Sequence, residues 1–298
     1  MIVGRKGEPS KGQMIAIMGA GLVGALAYTF TDTFWFSAVE GEVYAMSSMF
    51  TALVVWLMLR WEENASSPTS MRWIVLIAYL MGLSIGVHIL NLLTIPALVM
   101  IYFFRKYEYR SAKDYFLKIC LALVVSLVIL GAINGVIIPY TVALGAAVDT
   151  FAVNSLGMPV NSGMIIFAVA VFALLGYAVM FTHRRGYKVL NGVVMAVLVI
   201  LIGFSSYASV SIRAAANPPM NSNNPSNPHM LLSLLNRDQY GNRPLIYGAS
   251  YAAPIESYTE KEVYNYNPKT ESYDKLTTVD KYIYPDKFMH LFPRMWNY

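Results

Sequence analysis

The sequence predicts an all-α polytopic membrane protein with about seven transmembrane helices, followed by a C-terminal extracytoplasmic segment of mixed or irregular structure. Of its 298 residues, 56% are hydrophobic and only 13% are charged. Soluble globular chains carry about 25% charged residues. The mean hydropathy of +0.48 and repeated apolar runs of about 20 residues also indicate a chain that crosses a membrane several times.

The apolar runs define the predicted domains. A polar lead at residues 1–12 precedes a transmembrane bundle at 13–209, and the tail at 210–298 is read as the start of a larger soluble region. The predicted spans lie near residues 13–31, 43–61, 73–88, 91–104, 115–138, 163–182 and 189–209. Between the fifth and sixth spans, residues 139–162 are expected to form a loop that is rich in small residues.

The segment 73–104 decides the topology, because it is too long for one crossing. Two short crossings, tilted or partly re-entrant, with a bend near His88 and Asn91, place every basic cluster on one side of the membrane. Lys and Arg near span ends mark the cytoplasmic side. Residues 1–12, 60–72, 105–114 and 183–188 are therefore predicted to be cytoplasmic. The opposite loops and the tail are predicted to be extracytoplasmic.

An acidic loop between the first two spans carries the best candidates for chemistry. It contains Asp32, Glu40 and Glu42 but no Lys or Arg. A carboxylate at a membrane boundary can act as a general base or hold a divalent cation. On a helix, Glu40 and Glu42 would diverge by about 160–200°, so they can share a site only if the segment is extended. The alternative is that the acids are solvated, with Asp32 or Thr33 capping a helix.

Further candidates are polar groups at the predicted outer ends of the spans. His88, Asn91 and Arg213 are candidate contacts for a lipid-linked phosphate or a sugar, since polar groups at membrane depth face a cavity or each other. The alternatives are an interhelical hydrogen bond or helix cap for His88 and Asn91, and a snorkelling arginine. Tyr44 is a candidate for the same substrate contact, although an aromatic residue here also fits an interfacial belt.

Several classes of function are excluded as first choices. The sequence has no P-loop, no dinucleotide-binding glycine fingerprint, no His-Glu-x-x-His motif and no nucleophile elbow. The net charge of +5 is modest and the basic residues cluster in short loops, which indicates topology and not a nucleic-acid surface. The single cysteine, Cys120, is expected to be a small buried hydrophobic residue.

Three stretches carry a resemblance to a known family. They are residues 34–46 (FWFSAVEGEVYAM), 82–93 (GLSIGVHILNLL) and 231–248 (LLSLLNRDQYGNRPLIYG). Together they resemble the protein O-mannosyltransferase-like membrane family (domain of unknown function 2723, glycosyltransferase family 117). The resemblance implies a GT-C-like fold and transfer of a sugar from a polyprenyl-phosphate donor to a protein acceptor outside the cytoplasm. It also implies a multi-pass protein of the bacterial inner (plasma) membrane, with the lipid bilayer, the lipid-linked sugar and the acceptor protein as partners.

The chain departs from the family pattern at both ends. Family members begin with further membrane helices and a first outer loop that bears an acidic catalytic motif, and they continue beyond Tyr298. We therefore expect a fragment that is inactive alone, in which the loop at 32–44 supports a catalytic acid elsewhere. The rival hypothesis is a non-catalytic transporter or assembly subunit. Transporters tend to show repeated halves with matching broken helices, and only one broken hairpin is recognisable in the sequence.

Overall fold

The computed structural model describes residues 9–108, 110–241, 244 and 246–293. Most of the predicted lead, residues 1–8, and Asn242, Arg243 and Leu245 of the third quoted stretch lie outside the described residues. The helices are α1 Lys11–Thr29, α2 Asp32–Val39, α3 Val43–Glu63, α4 Met71–Ile85, α5 Ile95–Lys106, α6 Ala112–Ala132, α7 Ile138–Leu156, α8 Ser162–Arg184, α9 Lys188–Phe204, α10 Ala208–Ala215 and α11 Pro228–Asn236. The strands are β1 Tyr247–Ala249, β2 Ser257–Asn267, β3 Ser272–Ile283 and β4 Met289–Leu291.

The helical architecture confirms the predicted class of polytopic all-α membrane protein. Within the described residues, 6 helical segments are long and apolar enough to cross a membrane, and α4 is a shorter apolar helix. The six are Lys11–Thr29, Val43–Glu63, Ile89–Lys106, Ala112–Leu156, Ser162–Arg184 and Lys188–Ala215. Seven apolar segments thus follow the order of the predicted spans, while the count of seven crossings stays a prediction.

The acidic loop is more helical than expected. Residues 32–39 form α2, so only residues 40–42 separate this helix from α3. Asp32 lies in the first turn of α2, where a carboxylate interacts favourably with the helix dipole. The chain then reverses at Gly41, whose φ of 71° lies in the left-handed region that glycine adopts without strain.

The apolar segment 73–104 is broken into α4 and α5, which are joined by a bend at 86–88 and a 3₁₀ helix, Ile89–Thr94. His88 is the N-cap residue of the 3₁₀ helix, and its Nδ1 accepts a hydrogen bond of 3.2 Å from the Leu90 N–H. Pro96 lies in the first turn of α5, where its missing N–H is tolerated. The position of the break agrees with the expected bend, and the two crossings that it would allow stay a prediction.

The predicted loop at 139–162 is wrong over most of its length, because residues 138–156 form α7. A π-helical turn, Ile133–Ile137, joins α6 to α7 and accommodates Pro139 in the first turn of the new helix. Helix α7 ends at Leu156, and its C-cap residue, Gly157, has a φ of 65°. There the N–H groups of Gly157 and Met158 return to Val153 and Ala152, which is a common glycine-terminated helix end. Proline and glycine mark the two ends of a helix here, and not a loop.

The bundle core depends on close contact between α4 and α9. A Cβ atom on Gly82 would overlap the backbone carbonyl of Ile200, and one on Gly203 would overlap the backbone of Tyr79 and Leu83. Small residues at such a crossing allow two membrane helices to approach closely. The surrounding core is formed by buried apolar side chains, including Val54, Leu57, Met58, Trp61, Ile77, Met81 and Phe204.

The tail combines a short helix with two small antiparallel sheets. The larger sheet is the β2–β3 hairpin, in which Tyr258 faces Tyr282 and Tyr266 faces Tyr273. The smaller sheet pairs β1 with β4. Asn227 is the N-cap residue of α11, and its side chain accepts a hydrogen bond of 3.1 Å from the Met230 N–H. This agrees with the expected mixture of strands and irregular structure, with the addition of α11.

Candidate functional site

A groove of about 400 Å³ lies where the end of α1, the first turns of α3 and the 3₁₀ helix meet. Its lining consists of Tyr28, Tyr44, Ser47, Ser48, Thr51, Ala52 and Leu90. Five of these side chains are hydroxylated and none is charged. Hydroxyl groups and aromatic rings suit a ligand that has hydroxyl groups and apolar faces of its own, such as a sugar. We name this feature the α3 groove.

The Tyr44–His88 contact ties the acidic loop to the bend. The two rings lie 5.4 Å apart, centroid to centroid. Because the Nδ1 atom of His88 accepts the hydrogen bond from Leu90, a neutral imidazole carries its proton on Nε2 and can donate it elsewhere. Tyr44 lies two residues after Glu42, so the predicted acidic loop and the predicted bend occupy the same end of the bundle.

Asn91 is buried and does not face the groove. It is 0% exposed, and its Oδ1 accepts a hydrogen bond of 3.1 Å from the Thr51 hydroxyl. Its Nδ2 donates to the Ser84 hydroxyl at 2.9 Å and to the Met81 sulfur at 3.4 Å. The side chain therefore joins α3, α4 and the 3₁₀ helix. This corresponds to the interhelical hydrogen bond that was the alternative to a substrate contact.

The three candidate acids are exposed and do not line the α3 groove. Glu40 caps the C-terminus of α2 and Glu42 is the N-cap residue of α3, although no side-chain capping hydrogen bond is formed. The segment between them is not helical, so the divergence expected on a helix does not apply. Among the described residues, no three His, Cys, Asp or Glu side chains are grouped so that they could hold a metal ion. A divalent cation stays a prediction.

Arg213 is the candidate that the structure leaves apart from the others. It is exposed in the last turn of α10 and does not line the α3 groove. Its backbone carbonyl accepts a hydrogen bond of 3.2 Å from the Ala216 N–H, where the helix ends.

Sequence reasoning missed a second polar cluster, centred on Asp149 of α7. This carboxylate is 0% exposed. It accepts hydrogen bonds from the backbone N–H groups of Gly163 at 2.8 Å and Asn161 at 3.1 Å, and from the Tyr273 hydroxyl at 2.7 Å. The only charged residue between Lys118 and Arg184 is Asp149. An isolated acid in such an apolar stretch is itself a signal of a functional or structural role.

The Asp149 cluster joins the tail hairpin to the bundle. Asn154 exchanges two hydrogen bonds with the Tyr273 backbone, at 2.8 and 2.9 Å. His229 of α11 lies 2.7 Å from the Thr150 hydroxyl, and its ring contacts Tyr273 at 5.0 Å between centroids. Because the Asp149 carboxylate is buried and its two oxygens already accept hydrogen bonds, we assign the cluster to anchoring and not to catalysis.

The environment of the cluster shifts two titration equilibria in the tail. Burial lowers the pKa of the His229 imidazole, although the nearby Asp149 carboxylate acts in the opposite direction. Burial and the hydrogen bond to Asp149 raise the pKa of the Tyr273 phenol far above its usual value. Near neutral pH both side chains are therefore in their uncharged forms.

The groove, the acidic loop and the bend all lie within one region of sequence similarity. Residues 1–111 match the family model described as Protein O-mannosyl-transferase TMEM260 N-terminal domain. This confirms the resemblance to protein O-mannosyltransferase-like membrane proteins over those residues, and it supports a glycosyltransferase-like role that acts on protein. All the described residues that line the α3 groove belong to the matched region.

The tail has a separate similarity. Residues 241–298 match a family of unknown function (DUF8416), a region that includes β1 to β4. Most of the third stretch that carries the resemblance, residues 231–248, precedes this match and lies outside residues 1–111. No match was found among curated proteins or among solved structures.

Proposed function

We propose that the native protein is a GT-C-like membrane glycosyltransferase that transfers a sugar from a polyprenyl-phosphate donor to a protein on the extracytoplasmic face. One observation carries the proposal. The part of the chain that is similar to a protein O-mannosyltransferase domain forms a hydroxyl-rich aromatic groove beside an acidic turn. In the reaction, the acceptor oxygen bonds to the sugar, the bond from the sugar to phosphate breaks, and the acceptor proton is removed.

Each residue of the site has a defined role in this proposal. Glu40 or Glu42 assists the acceptor or a bound cation, because both carboxylates are exposed at the turn that leads into α3. His88 contacts the donor phosphate through Nε2, and Tyr44 holds the imidazole in place through ring contact. Asn91 positions the bend from within the core and does not touch substrate.

The roles of the acids are tested with the protein expressed from its native gene and reconstituted in proteoliposomes. Transfer of labelled sugar from a polyprenyl-phosphate donor to acceptor protein is measured for Glu40→Gln, Glu42→Gln and the double variant. We expect transfer by the double variant to be about 100-fold slower or more, the size of effect seen when a side chain that assists removal of the acceptor proton is lost. Glu256→Gln, which changes an exposed acid in the tail, is the matched control. Full activity in the double variant would remove these roles.

The side of the membrane is tested separately by cysteine labelling in a Cys120→Ser background. Thr270→Cys in the β2–β3 turn and Ser66→Cys in the predicted cytoplasmic loop both change exposed residues. A membrane-impermeant maleimide is expected to label Thr270→Cys in intact cells, and Ser66→Cys only after permeabilisation. The reverse pattern would place the tail and the groove in the cytoplasm.

The rival function, a transporter or assembly subunit, predicts a different result in the same vesicles. Movement of a substrate across the membrane without transfer of sugar to protein would favour transport. The break between α4 and α5 and the π turn between α6 and α7 are the interruptions that such a mechanism would use.

A further inference from the structure

A second cavity of about 560 Å³ lies at the opposite ends of the spans from the acidic loop, between the C-terminus of α5 and the N-terminus of α6. Its lining consists of Lys106, Tyr107, Glu108, Arg110, Asp114 and Lys118. We name it the α5–α6 cavity. It falls in one of the basic clusters that the sequence places in the cytoplasm, and the proposed sugar transfer does not use it.

Among the described residues, three cationic side chains and two carboxylates, those of Glu108 and Asp114, line the α5–α6 cavity, which leaves one net positive charge. Lys118 forms an ion pair of 2.8 Å with Asp114, so the charges of Lys118 and Asp114 neutralise each other. Lys118 also donates a hydrogen bond to the Glu108 backbone carbonyl. Lys106 donates a hydrogen bond of 3.5 Å to a neutral group, the Ala65 carbonyl. The Arg110 backbone N–H donates a hydrogen bond of 3.1 Å to the Asp114 carboxylate, whereas the Arg110 guanidinium forms no ion pair within 4.0 Å in the part of the chain that the structure describes.

Exposed apolar side chains adjoin this charge. Tyr107, which lines the cavity, is 48% exposed. Phe116 and Leu117 in the first turns of α6 are 68% and 65% exposed, respectively. Exposed apolar groups of this size on a candidate membrane span face acyl chains, whereas the neighbouring cations face the headgroup region. The cavity supplies the polar half of a phospholipid site, and the first turns of α6, which begin beside it, supply exposed apolar side chains.

The position along the helices agrees with this arrangement. Helix α5 ends the candidate span Ile89–Lys106, and α6 begins the candidate span Ala112–Leu156. The cavity therefore lies where two spans leave the membrane. Basic pockets between helices at the cytoplasmic boundary are suited to anionic lipid headgroups, and guanidinium matches phosphate oxygens in geometry and charge.

We propose that the α5–α6 cavity binds the phosphate headgroup of an anionic phospholipid, with Lys106 and Arg110 as the cationic contacts. The acyl chains lie along the exposed apolar face of α6 that includes Phe116 and Leu117. The binding site is structural or regulatory and is separate from the α3 groove.

The test compares lipid binding by native mass spectrometry of the full-length protein. Phosphatidylglycerol and phosphatidylcholine with the same acyl chains are titrated, and inorganic phosphate is added as a competitor in a further arm. The double variant Lys106→Gln/Arg110→Gln is compared with Lys269→Gln/Lys281→Gln, which removes two exposed charges from the tail hairpin. Arg110→Gln alone provides a milder second variant.

The expected result is a preference for phosphatidylglycerol that falls roughly 5- to 30-fold in the double variant and less in Arg110→Gln. The control variant is expected to bind like the unmodified protein. Equal binding of the two lipids, or unchanged binding by the double variant, would overturn the proposal. Displacement of the lipid by millimolar phosphate would also overturn it, since the site would then belong to a soluble anion.

Discussion

The buried pair of Asp149 and Tyr273 links a membrane helix to a strand 124 residues later in the chain. A hydrogen bond to a charged group contributes about 1.5–3 kcal/mol to stability, and removing one partner leaves the other unsatisfied. We expect Tyr273→Phe to lower the free energy of unfolding of the purified protein by about 1.5–3 kcal/mol, which is seen as a lower melting temperature. Tyr282→Phe, at a half-exposed position of the same strand, is expected to have little effect, and equal melting of the two variants would contradict the anchor.

His229 gives the anchor a dependence on pH. Since burial lowers its pKa in the folded protein below the ordinary value of 6.5, the unfolded chain binds more protons in that range. The contribution of neutral His229 to the free energy of unfolding is fully present above pH 6.5. It is lost as the pH falls through the lower pKa of His229 in the folded protein. Its charged and titratable neighbours are Asp149, Tyr264 and Tyr273.

We therefore expect the melting temperature to fall between pH 7.5 and 5.5, and to fall less in His229→Gln than in the unmodified protein. Glutamine keeps a partner for the Thr150 hydroxyl but does not titrate. His290→Gln, at an exposed position of β4, is the control and is expected to retain the full pH dependence. Identical pH profiles for His229→Gln and the unmodified protein would exclude this role.

At the level of elements, the crossing of α4 and α9 leaves no room for a side chain. Gly82→Ala places a Cβ against the backbone of Ile200. We therefore expect the free energy of unfolding to fall by at least about 1–3 kcal/mol, or no folded protein to be obtained. Gly131→Ala in α6 is the matched control, because no described atom lies within 4 Å of the added methyl group. Equal yield and melting of the two variants, measured in detergent, would contradict the close crossing.

How much could be read from the sequence also differs among elements. Length and hydropathy predicted the apolar helices and the break near His88, because hydrophobic segments of membrane length have few alternative structures. The same signals failed at residues 139–162, where a loop is predicted but most residues belong to α7, with Pro139 in its first turn and Gly157 as its C-cap residue. Proline and glycine occur in loops but also at the two ends of helices. The sequence alone did not show that a helix lies between Pro139 and Gly157.

The candidate site was predicted only in part for a similar reason. Tyr44 and His88 were both chosen from local pattern, and the structure brings their rings together. Asn91 was also chosen, yet it is used inside the core. Asp149 and Tyr273 are 124 residues apart in the sequence, and no local periodicity indicates such a pairing, although the sequence does show that Asp149 is an isolated charge in an apolar stretch.

On the scale of the whole molecule, one side of the bundle carries the α3 groove and the other carries the α5–α6 cavity. The groove lies within the region that matches a protein O-mannosyltransferase domain. The tail, which matches a family of unknown function over residues 241–298, is hydrogen-bonded to α7 through Tyr273 and Asp149. In the proposed enzyme the bundle binds the lipid-linked donor, and the tail is held at a fixed position relative to it.

The central claim is that the α3 groove binds the substrate of sugar transfer. It is tested most directly by measuring transfer in a variant whose groove is filled by a bulky side chain. Ser48→Phe adds bulk at the groove lining, whereas Ala38→Phe adds comparable bulk at an exposed position of α2. The protein and its variants are expressed from the native gene and reconstituted in proteoliposomes. The initial rate of sugar transfer from a polyprenyl-phosphate donor to acceptor protein is then measured. We predict measurable transfer by the unmodified protein and by Ala38→Phe, and at least about tenfold slower transfer by Ser48→Phe. Equal rates for the two variants, or no transfer by the unmodified protein, would contradict the account.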